Sequence, residues 1–313
     1  MDLLSAIRSV RLFSKQEDLK RLTTVWGENL DTDHVLPEYP RPHLVRTKDN
    51  SYINLNGYWD YAIVKDKYSF SSYDGKILVP FSPEAALSGV GRQLQPDELL
   101  FCERTITIDE LPTDGSRCIL HFGAVDQYAR VFLNGQPVIS HLGGYLPFSA
   151  DITKYLQIGS NLLSVQIEDR SDTSYHSVGK QKLKRGGMFY TAQSGIWQTV
   201  WMEWVPSVYI TDLKLTPHYD KETIHVCIQM NTPLPVHHGE DSVICYVLDQ
   251  DDQIVSKGIC TNQSDCLCTY SCYCDVNHMI SWTPDYPYLY KLKVCAGTDK
   301  IISYFAIDRK SVV

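Results

Sequence analysis

The sequence has no long hydrophobic run and no excess of positive charge. None of its 313 residues falls in a stretch of about 18 consecutive apolar residues, the length that a membrane-spanning helix needs. The net charge is −8 and the pI is about 5.7, whereas nucleic acids and anionic membranes attract surfaces with clustered Lys and Arg. The sequence therefore predicts neither a membrane protein nor a nucleic-acid-binding protein.

Several catalytic signatures are also missing. The chain contains no G-x-S-x-G, G-x-x-x-x-G-K-[ST], G-x-G-x-x-G or H-E-x-x-H pattern. The local signatures of serine hydrolases, P-loop enzymes, dinucleotide-binding enzymes and zinc proteases are thus excluded. The pair His237-His238 stands alone among prolines, which favours a solvated loop over a metal site. We expect no cofactor, and we assign no residue as a metal ligand.

The first 22 residues lack the features of a secretory signal. Asp2, Arg8 and Arg11 interrupt the apolar stretch, and no cleavage site follows. We expect a short amphipathic helix in this N-terminal extension, and its apolar side chains are Leu3, Leu4, Ile7, Val10 and Leu12. Because a secretory signal is not recognised, we predict a cytoplasmic protein whose ten cysteines are reduced thiols.

The densest group of cysteines lies in CLCTYSCYC, residues 266–274. On a strand, Cys266, Cys268, Cys272 and Cys274 share one face. Their C-x-C-x3-C-x-C spacing differs from the C-x2–4-C spacing of structural zinc sites. Two interpretations stay open, a strand face of small buried thiols and a metal site.

Short β-type segments fill most of the chain, and no long helical pattern occurs. They are rich in β-branched and aromatic residues and are bounded by turn residues. Asn134-Gly135 is a strong hairpin signal, because a type I′ turn needs positive φ at both central residues. Before Pro206 the predicted strands include residues 101–108, 117–123, 127–133, 136–140 and 161–169. After Pro206 the predicted strands are residues 208–218, 222–230, 242–250, 252–260, 266–274, 288–295 and 300–307.

The segment WQTVWMEW carries Trp197, Trp201 and Trp204, half of the six tryptophans. From Ile196 to Val205 the alternation predicts one strand with two largely apolar faces, hence covered on both sides. We expect Trp201 and Trp204 in the core. Trp197, next to Ser194-Gly195 at the strand mouth, is the better candidate for facing a ligand.

The segment 170–187 is polar, basic and glycine-ended, and it predicts a long loop, which in a compact domain is usually either functional or disordered. Glu168, Asp169 and Asp172 concentrate carboxylates at its start. Further polar groups of the loop are Ser171, Ser174, Tyr175, His176, Lys180 and Gln181. Such groups beside an aromatic ring suit a sugar, whereas acids at a strand end are also common as solvated side chains. Both interpretations stay open.

A series of motifs from about residue 23 to residue 308 resembles the N-terminal half of glycoside hydrolase family 2, which includes β-galactosidases, β-glucuronidases and β-mannosidases. The motifs are EYPRPHLVR (38–46), LNGYWDYAI (55–63), VPFSPEAALSGV (79–90), LHFGAVDQYARVFLNG (120–135), HLGGYLPFSADIT (141–153), MFYTAQSGIWQTVWMEWVP (188–206) and SWTPDYPYLYKLKV (281–294). The resemblance implies an all-β chain, with a jelly-roll sugar-binding sandwich followed by an immunoglobulin-like β-sandwich.

The resemblance also implies a third domain, a (β/α)8 barrel, that carries the family's two catalytic glutamates. The family's acid/base glutamate lies in an Asn-Glu motif, and this sequence has no Asn-Glu dipeptide. We therefore expect domains at 1–22 (extension), 23–206 (jelly roll), 207–308 (immunoglobulin-like) and 309–313 (start of a linker to a missing barrel). The chain is expected to hold no catalytic residue and to be inactive alone.

One residue of the first domain is implied to touch substrate. In β-galactosidases of the family an aspartate in a Ser-Asp-x-Ser-Tyr stretch contacts the sugar, and SDTSY (171–175) matches it at Asp172. The surrounding GKQKLKRGG differs from the galactosidase pattern, and a loop aspartate making a local turn is the alternative.

Three functions remain open at this point. The chain is the non-catalytic front half of a retaining β-glycosidase that docks on the barrel, a stand-alone carbohydrate-binding module, or a structural or assembly module. The expected partners are a β-linked sugar bound weakly, a barrel domain, and further copies of the chain, because surfaces that would meet a barrel favour self-association when exposed.

Overall fold

The structure is a computed structural model that describes residues 24–48, 51–65, 70–234, 243–263 and 266–308. The predicted N-terminal helix, the pair His237-His238 and the linker at 309–313 lie outside the described residues. Within these bounds the chain groups into two compact units, one of residues 24–38, 53–111 and 118–203 and one of residues 39–52, 112–117 and 204–308. The domain boundaries given above stay a prediction.

Strands dominate both units. The earlier strands are β1 (Val45–Arg46), β2 (Tyr52–Asn54), β3 (Gly57–Val64), β4 (Gly75–Val79), β5 (Leu99–Ile108), β6 (Arg117–Phe122), β7 (Val125–Asp126), β8 (Tyr128–Leu133), β9 (Gln136–Leu142), β10 (Phe148–Asp151), β11 (Gly159–Glu168), β12 (Gln181–Lys182), β13 (Tyr190–Thr191), β14 (Gly195–Ile196) and β15 (Val200–Val205). The later strands are β16 (Ile210–His218), β17 (Thr223–Met230), β18 (Val243–Leu248), β19 (Ile254–Gln263), β20 (Cys266–Asp275), β21 (Tyr290–Ala296) and β22 (Asp299–Phe305).

Helical structure among the described residues is limited to single turns. These are the α-helix α1 (Val25–Glu28) and the 3-10 turns Ala86–Ser88, Thr153–Tyr155, Ser171–Thr173 and Tyr219–Lys221. None of them has the length and apolar character that crossing a membrane requires. The all-β prediction is confirmed.

The first unit is the predicted jelly roll. One sheet has the order β4-β3-β5-β11-β8-β9 and the other β10-β6-β15-β2. Alternate residues of β8 are buried, as expected for strands with one face on a core. Trp59 of β3 is fully buried, and its indole Nε1 donates a hydrogen bond to the carbonyl of Leu55 at 2.8 Å.

The hairpin between β8 and β9 confirms the turn prediction. Asn134 and Gly135 have φ values of 52° and 76°. Leu133 pairs with Gln136 across the turn. The twist of a type I′ turn matches the twist of the two strands, which fixes their register.

The tryptophan segment is two strands, so the prediction of one continuous strand is wrong. β14 ends at Ile196 and β15 begins at Val200. Between them Gln198 packs so close to Gly123 that a Cβ there would lie 2.8 Å from the Cβ of Gln198, and the chain leaves the strand path at this contact. Trp201 is buried as predicted, and its ring stacks on that of His121 with 4.8 Å between the ring centroids. Trp204, which was also predicted in the core, is only half-buried.

The second unit is the predicted immunoglobulin-like sandwich. Its sheet has the order β1-β22-β21-β18-β19-β20-β17-β16. β19 pairs with β18 along its first part and with β20 near its end, and the sheet curls there into two layers. The core between the layers includes Ile210, Val226 and Leu292.

A buried ion pair joins β1 to this sandwich. Arg46 Nε lies 3.2 Å from Asp299 Oδ1, and both side chains are 3% exposed. Arg46 Nη2 also donates to the carbonyl of Ile210 at 2.6 Å, and Ile210 N–H donates to Asp299 Oδ2 at 2.8 Å. Both charges and both backbone groups are thus satisfied.

Candidate functional site

The loop between β11 and β14 holds most of the predicted site residues. It is ordered by its own contacts, since β12 and β13 pair in parallel through Gln181 and Tyr190. Tyr190 N–H donates to the carbonyl of Lys180 at 2.9 Å. Tyr175 projects into solvent with its ring 4.4 Å from that of His176. The loop therefore offers exposed polar and aromatic groups on a fixed backbone.

Asp172 lies in the 3-10 turn Ser171–Thr173 and binds groups of its own loop. Its Oδ1 accepts a hydrogen bond from Leu183 N–H at 3.2 Å, and its Oδ2 lies 3.3 Å from Lys182 Nζ. Desolvation acts to raise the pKa of Asp172, but the bonds from Leu183 and Lys182 outweigh it and hold this pKa below its ordinary value. The carboxylate is charged and already paired, and its contact with a sugar stays a prediction.

The other two predicted acids do not join Asp172 in one cluster. Glu168 Oε1 forms an ion pair with Arg130 Nη2 at 3.0 Å. Asp169 is buried, and its Oδ1 accepts a hydrogen bond from Ser171 N–H at 2.6 Å. Burial raises the pKa of Asp169. Each of the three carboxylates thus has a different environment.

Asp169 instead faces a small polar cavity beneath the loop. Its volume is about 10 Å³, which is room for about one water molecule. The cavity is lined by Asp126, Gln127, Tyr145, Asp169, Ser171, Ser177, Val178, Gln181 and Gln193. The predicted residues Ser171 and Gln181 are therefore part of the packing under the loop.

Asp126, which the sequence did not single out, has the most perturbed carboxyl at this cavity. Burial, followed by the charges of Asp169 and Glu84, raises the pKa of Asp126 from 3.8 to about 7. Gly144 lies against it so closely that a Cβ there would be 2.2 Å from Asp126 Oδ1. Only glycine permits this approach.

Glu84 was also missed, and its surroundings point to a structural role. Its Oε1 accepts hydrogen bonds from Leu94 N–H at 3.0 Å and from the Ser194 hydroxyl at 2.7 Å, and its Oε2 accepts one from Ser194 N–H at 3.1 Å. Burial raises the pKa of Glu84, and these bonds act against the rise. The side chain connects the segment near Leu94 to the start of β14.

Trp197 fixes the turn that approaches Asp126. Its indole Nε1 donates to the carbonyl of Gly144 at 2.7 Å, and its ring meets Tyr145 edge-on at 6.4 Å. The ring is half-buried. The prediction that Trp197 faces a ligand stays a prediction.

The raised pKa of Asp126 predicts a pH-dependent stability. The folded chain binds this proton more tightly than the unfolded chain, so the free energy of unfolding falls as the pH rises from about 4 to about 7. The full shift corresponds to about 4 kcal/mol, and partial exposure reduces the expected effect to about 2 kcal/mol. Asp126→Asn should remove this fall, measured by urea unfolding between about pH 5 and about pH 8. The exposed Asp109→Asn is the control, and a fall of equal size in Asp126→Asn and wild type would contradict the assignment.

Comparison with known proteins shows that part of the chain is similar to one family. Residues 95–206 match the family described as "Glycosyl hydrolases family 2, sugar binding domain". The β-galactosidase of Thermoanaerobacter pseudethanolicus is 23% identical over 249 residues, which cover 77% of this chain and 32% of that protein. The β-glucuronidase of Sus scrofa is 28% identical over 201 residues, covering 59% of this chain and 30% of that protein. The chain thus spans about a third of the length of these curated relatives.

Solved structures show the same fold. A β-glucuronidase of an uncultured Clostridium sp. superposes with a TM-score of 0.60 at 24% identity, covering 84% of this chain and 46% of that chain. The β-glucuronidase of Bifidobacterium dentium gives a TM-score of 0.64 at 21% identity, covering 84% and 49%. Residues 95–206 thus match the sugar-binding domain of glycosyl hydrolase family 2, and the chain is similar to β-galactosidases and β-glucuronidases over about a third of their length.

Proposed function

We propose that the chain is the non-catalytic part of a cytoplasmic family 2 retaining β-glycosidase, and that it shapes the sugar site of a separate barrel domain. The observation that carries this proposal is the family match at 95–206 together with relatives of which the aligned part makes up about a third. The proposed whole enzyme hydrolyses O-glycosyl bonds by double displacement between two carboxylates about 5–5.5 Å apart.

The cavity beneath the loop supports a non-catalytic role for this chain. Asp126 and Asp169 both line it, yet its volume of about 10 Å³ holds no sugar ring. Ligand pockets are typically about 300–1,000 Å³. We therefore assign these two carboxyls to the packing under the loop, and propose that the two reacting carboxylates lie on the barrel.

The sugar contact is proposed for Asp172 at the surface of the loop. Charged carboxylates bind hydroxyl groups strongly, and its low pKa keeps Asp172 charged. A sugar hydroxyl would have to compete with Lys182 for Oδ2. We therefore expect binding with a Kd of roughly 1 mM or weaker, with a β-galactoside as the first candidate and a β-glucuronide as the second.

The test uses the 313-residue chain in two steps. Aryl β-galactosides and β-glucuronides should not be cleaved above a blank. Methyl β-galactoside and methyl β-glucuronide, added at millimolar concentration, should shift NMR signals of the loop. Asp172→Asn should abolish these shifts, whereas Asp109→Asn should keep them.

Three outcomes would count against the proposal. Hydrolysis that follows the protein through purification would show catalytic residues in this chain. Micromolar binding would favour a stand-alone carbohydrate-binding module. Dimers in light scattering together with no response to either sugar would favour an assembly module.

A further inference from the structure

Three buried cysteines of neighbouring strands meet in the core of the second unit. They are Cys245 on β18, Cys260 on β19 and Cys272 on β20, and their Sγ atoms all lie within 4.8 Å of one another. The Cys260 Sγ lies 3.5 Å from that of Cys245 and 2.9 Å from that of Cys272. The sheet curls at β19, so inward-facing side chains of the three strands converge there.

The strand register indicates which of the two close cysteine pairs, Cys260–Cys272 or Cys245–Cys260, can form a disulfide. β19 and β20 pair Thr261 with Ser271, and the same register places Cys260 opposite Cys272. Residues directly opposite on antiparallel strands have Cα atoms about 4.5–5.5 Å apart, which a disulfide can span. Cys245 pairs with Gly258 and is diagonal to Cys260, where the Cα separation is about 7–8 Å, too far for a disulfide.

The surroundings of the sulfurs favour the same pair. Cys260 and Cys272 are 7% and 9% exposed, whereas Cys245 is fully buried. Gly258 leaves room for the sulfurs, because a Cβ there would lie 2.9 Å from Cys272 Sγ and 2.6 Å from Cys274 Sγ. Once deprotonated, Cys260 accepts S–H hydrogen bonds from Cys245 and Cys272, which lowers the pKa of its thiol. The thiolate is the reactive form of cysteine.

We propose that Cys260 and Cys272 form a cross-strand disulfide when the protein meets a peroxide. The Cys260 thiolate attacks the O–O bond, takes one oxygen and becomes a sulfenic acid, while the other oxygen leaves as water after taking up a proton. The Cys272 sulfur then attacks the sulfenic sulfur, the S–O bond breaks, and the hydroxide leaves with the thiol proton as a second water. Two thiols are oxidised and one peroxide is reduced to two waters.

A neutral disulfide suits this core better than a metal–thiolate centre. The neighbouring buried side chains include Val243, Val247 and Val276. Three thiolates around one divalent ion would bring net negative charge into apolar surroundings, where burial of charge is costly. All ten cysteines are free thiols in the structure, which is the reduced state from which the reaction starts.

The test treats the full chain with dilute hydrogen peroxide, alkylates the remaining thiols and maps peptides without reduction. Cleavage before Asp265 and after Tyr270 and Tyr273 separates Cys260 from Cys272. We expect one linked peptide pair that lacks two hydrogens and separates on reduction. Cys260→Ser and Cys272→Ser should abolish it, and Cys245→Ser should keep it.

Three results would overturn the proposal. The first is a link between Cys245 and Cys260 in place of the expected one. The second is peroxide treatment that leaves Cys260 and Cys272 fully alkylatable, with circular dichroism showing the chain folded. The third is a native mass that includes a metal ion, lost with a chelator and lost in Cys260→Ser, which would assign the cluster to metal binding.

Discussion

Arg46→Met is expected to lower the free energy of unfolding of the second sandwich by about 3–5 kcal/mol. The substitution leaves Asp299 buried without its counter-charge, and the carbonyl of Ile210 loses the donor that lies 2.6 Å away. Breaking a buried pair from one side costs more than the pair contributes, because the remaining charge cannot be solvated. Urea unfolding followed by far-UV circular dichroism measures the loss.

An exposed ion pair in the same unit provides the control. Lys291 Nζ lies 2.6 Å from Asp252 Oδ1, with side chains 39% and 66% exposed. Lys291→Met removes the same type of charge and should cost less than about 1 kcal/mol. If both variants lose the same free energy of unfolding, burial is not the reason that the Arg46–Asp299 ion pair stabilises the sandwich.

Trp59→Ala is expected to lower the free energy of unfolding of the jelly roll by about 3–5 kcal/mol. The side chain is fully buried on β3, next to β4 through the pair Trp59–Ile77. Its removal opens a cavity, and the carbonyl of Leu55 loses the indole donor at 2.8 Å. Unfolding is again followed by far-UV circular dichroism, because the substitution itself changes tryptophan fluorescence.

Trp26 is the matched control for Trp59, since both lie in the first unit. Trp26 is 81% exposed on α1, and surface substitutions are usually within about 0.5 kcal/mol of neutral. Trp26→Ala should therefore leave the unfolding curve nearly unchanged. A large loss in Trp26→Ala, or a small one in Trp59→Ala, would contradict the packing described for this unit.

Short sequence patterns predicted the elements that are determined by residues close together in the sequence. Asn134-Gly135 specified its hairpin because two adjacent residues adopt positive φ. The prediction of one continuous strand from Ile196 to Val205 was wrong, because the contact of Gln198 with Gly123 interrupts the strand. β1 has two residues and no periodicity of its own, and only its pairing with β22 defines it as a strand.

The candidate site likewise contains one residue that a contiguous motif indicated and others that only the folded structure reveals. Asp172 was chosen as a candidate through the SDTSY stretch, which is contiguous in sequence, and its contact with a sugar stays a prediction. Asp126 carries no such signal, because its environment arises from the approach of Gly144 and the charge of Asp169. The doublet Gly143-Gly144 was the available hint, since adjacent glycines often mark a close backbone contact. Cys266 is exposed although it was grouped with the buried Cys272 and Cys274, because it is the first residue of β20 and lies at the end of the sheet.

The pairing of β1 with β22 has a consequence for the order in which the chain folds. Arg46 and Asp299 are separated by 253 positions, so a ribosome releases the arginine long before its carboxylate is made. Chains fold from the N-terminus as they are synthesised, yet this early strand has to wait for the last strand that the structure describes. A fragment that starts after Pro206 would therefore expose an open sheet edge on β22, the kind of edge that recruits other chains.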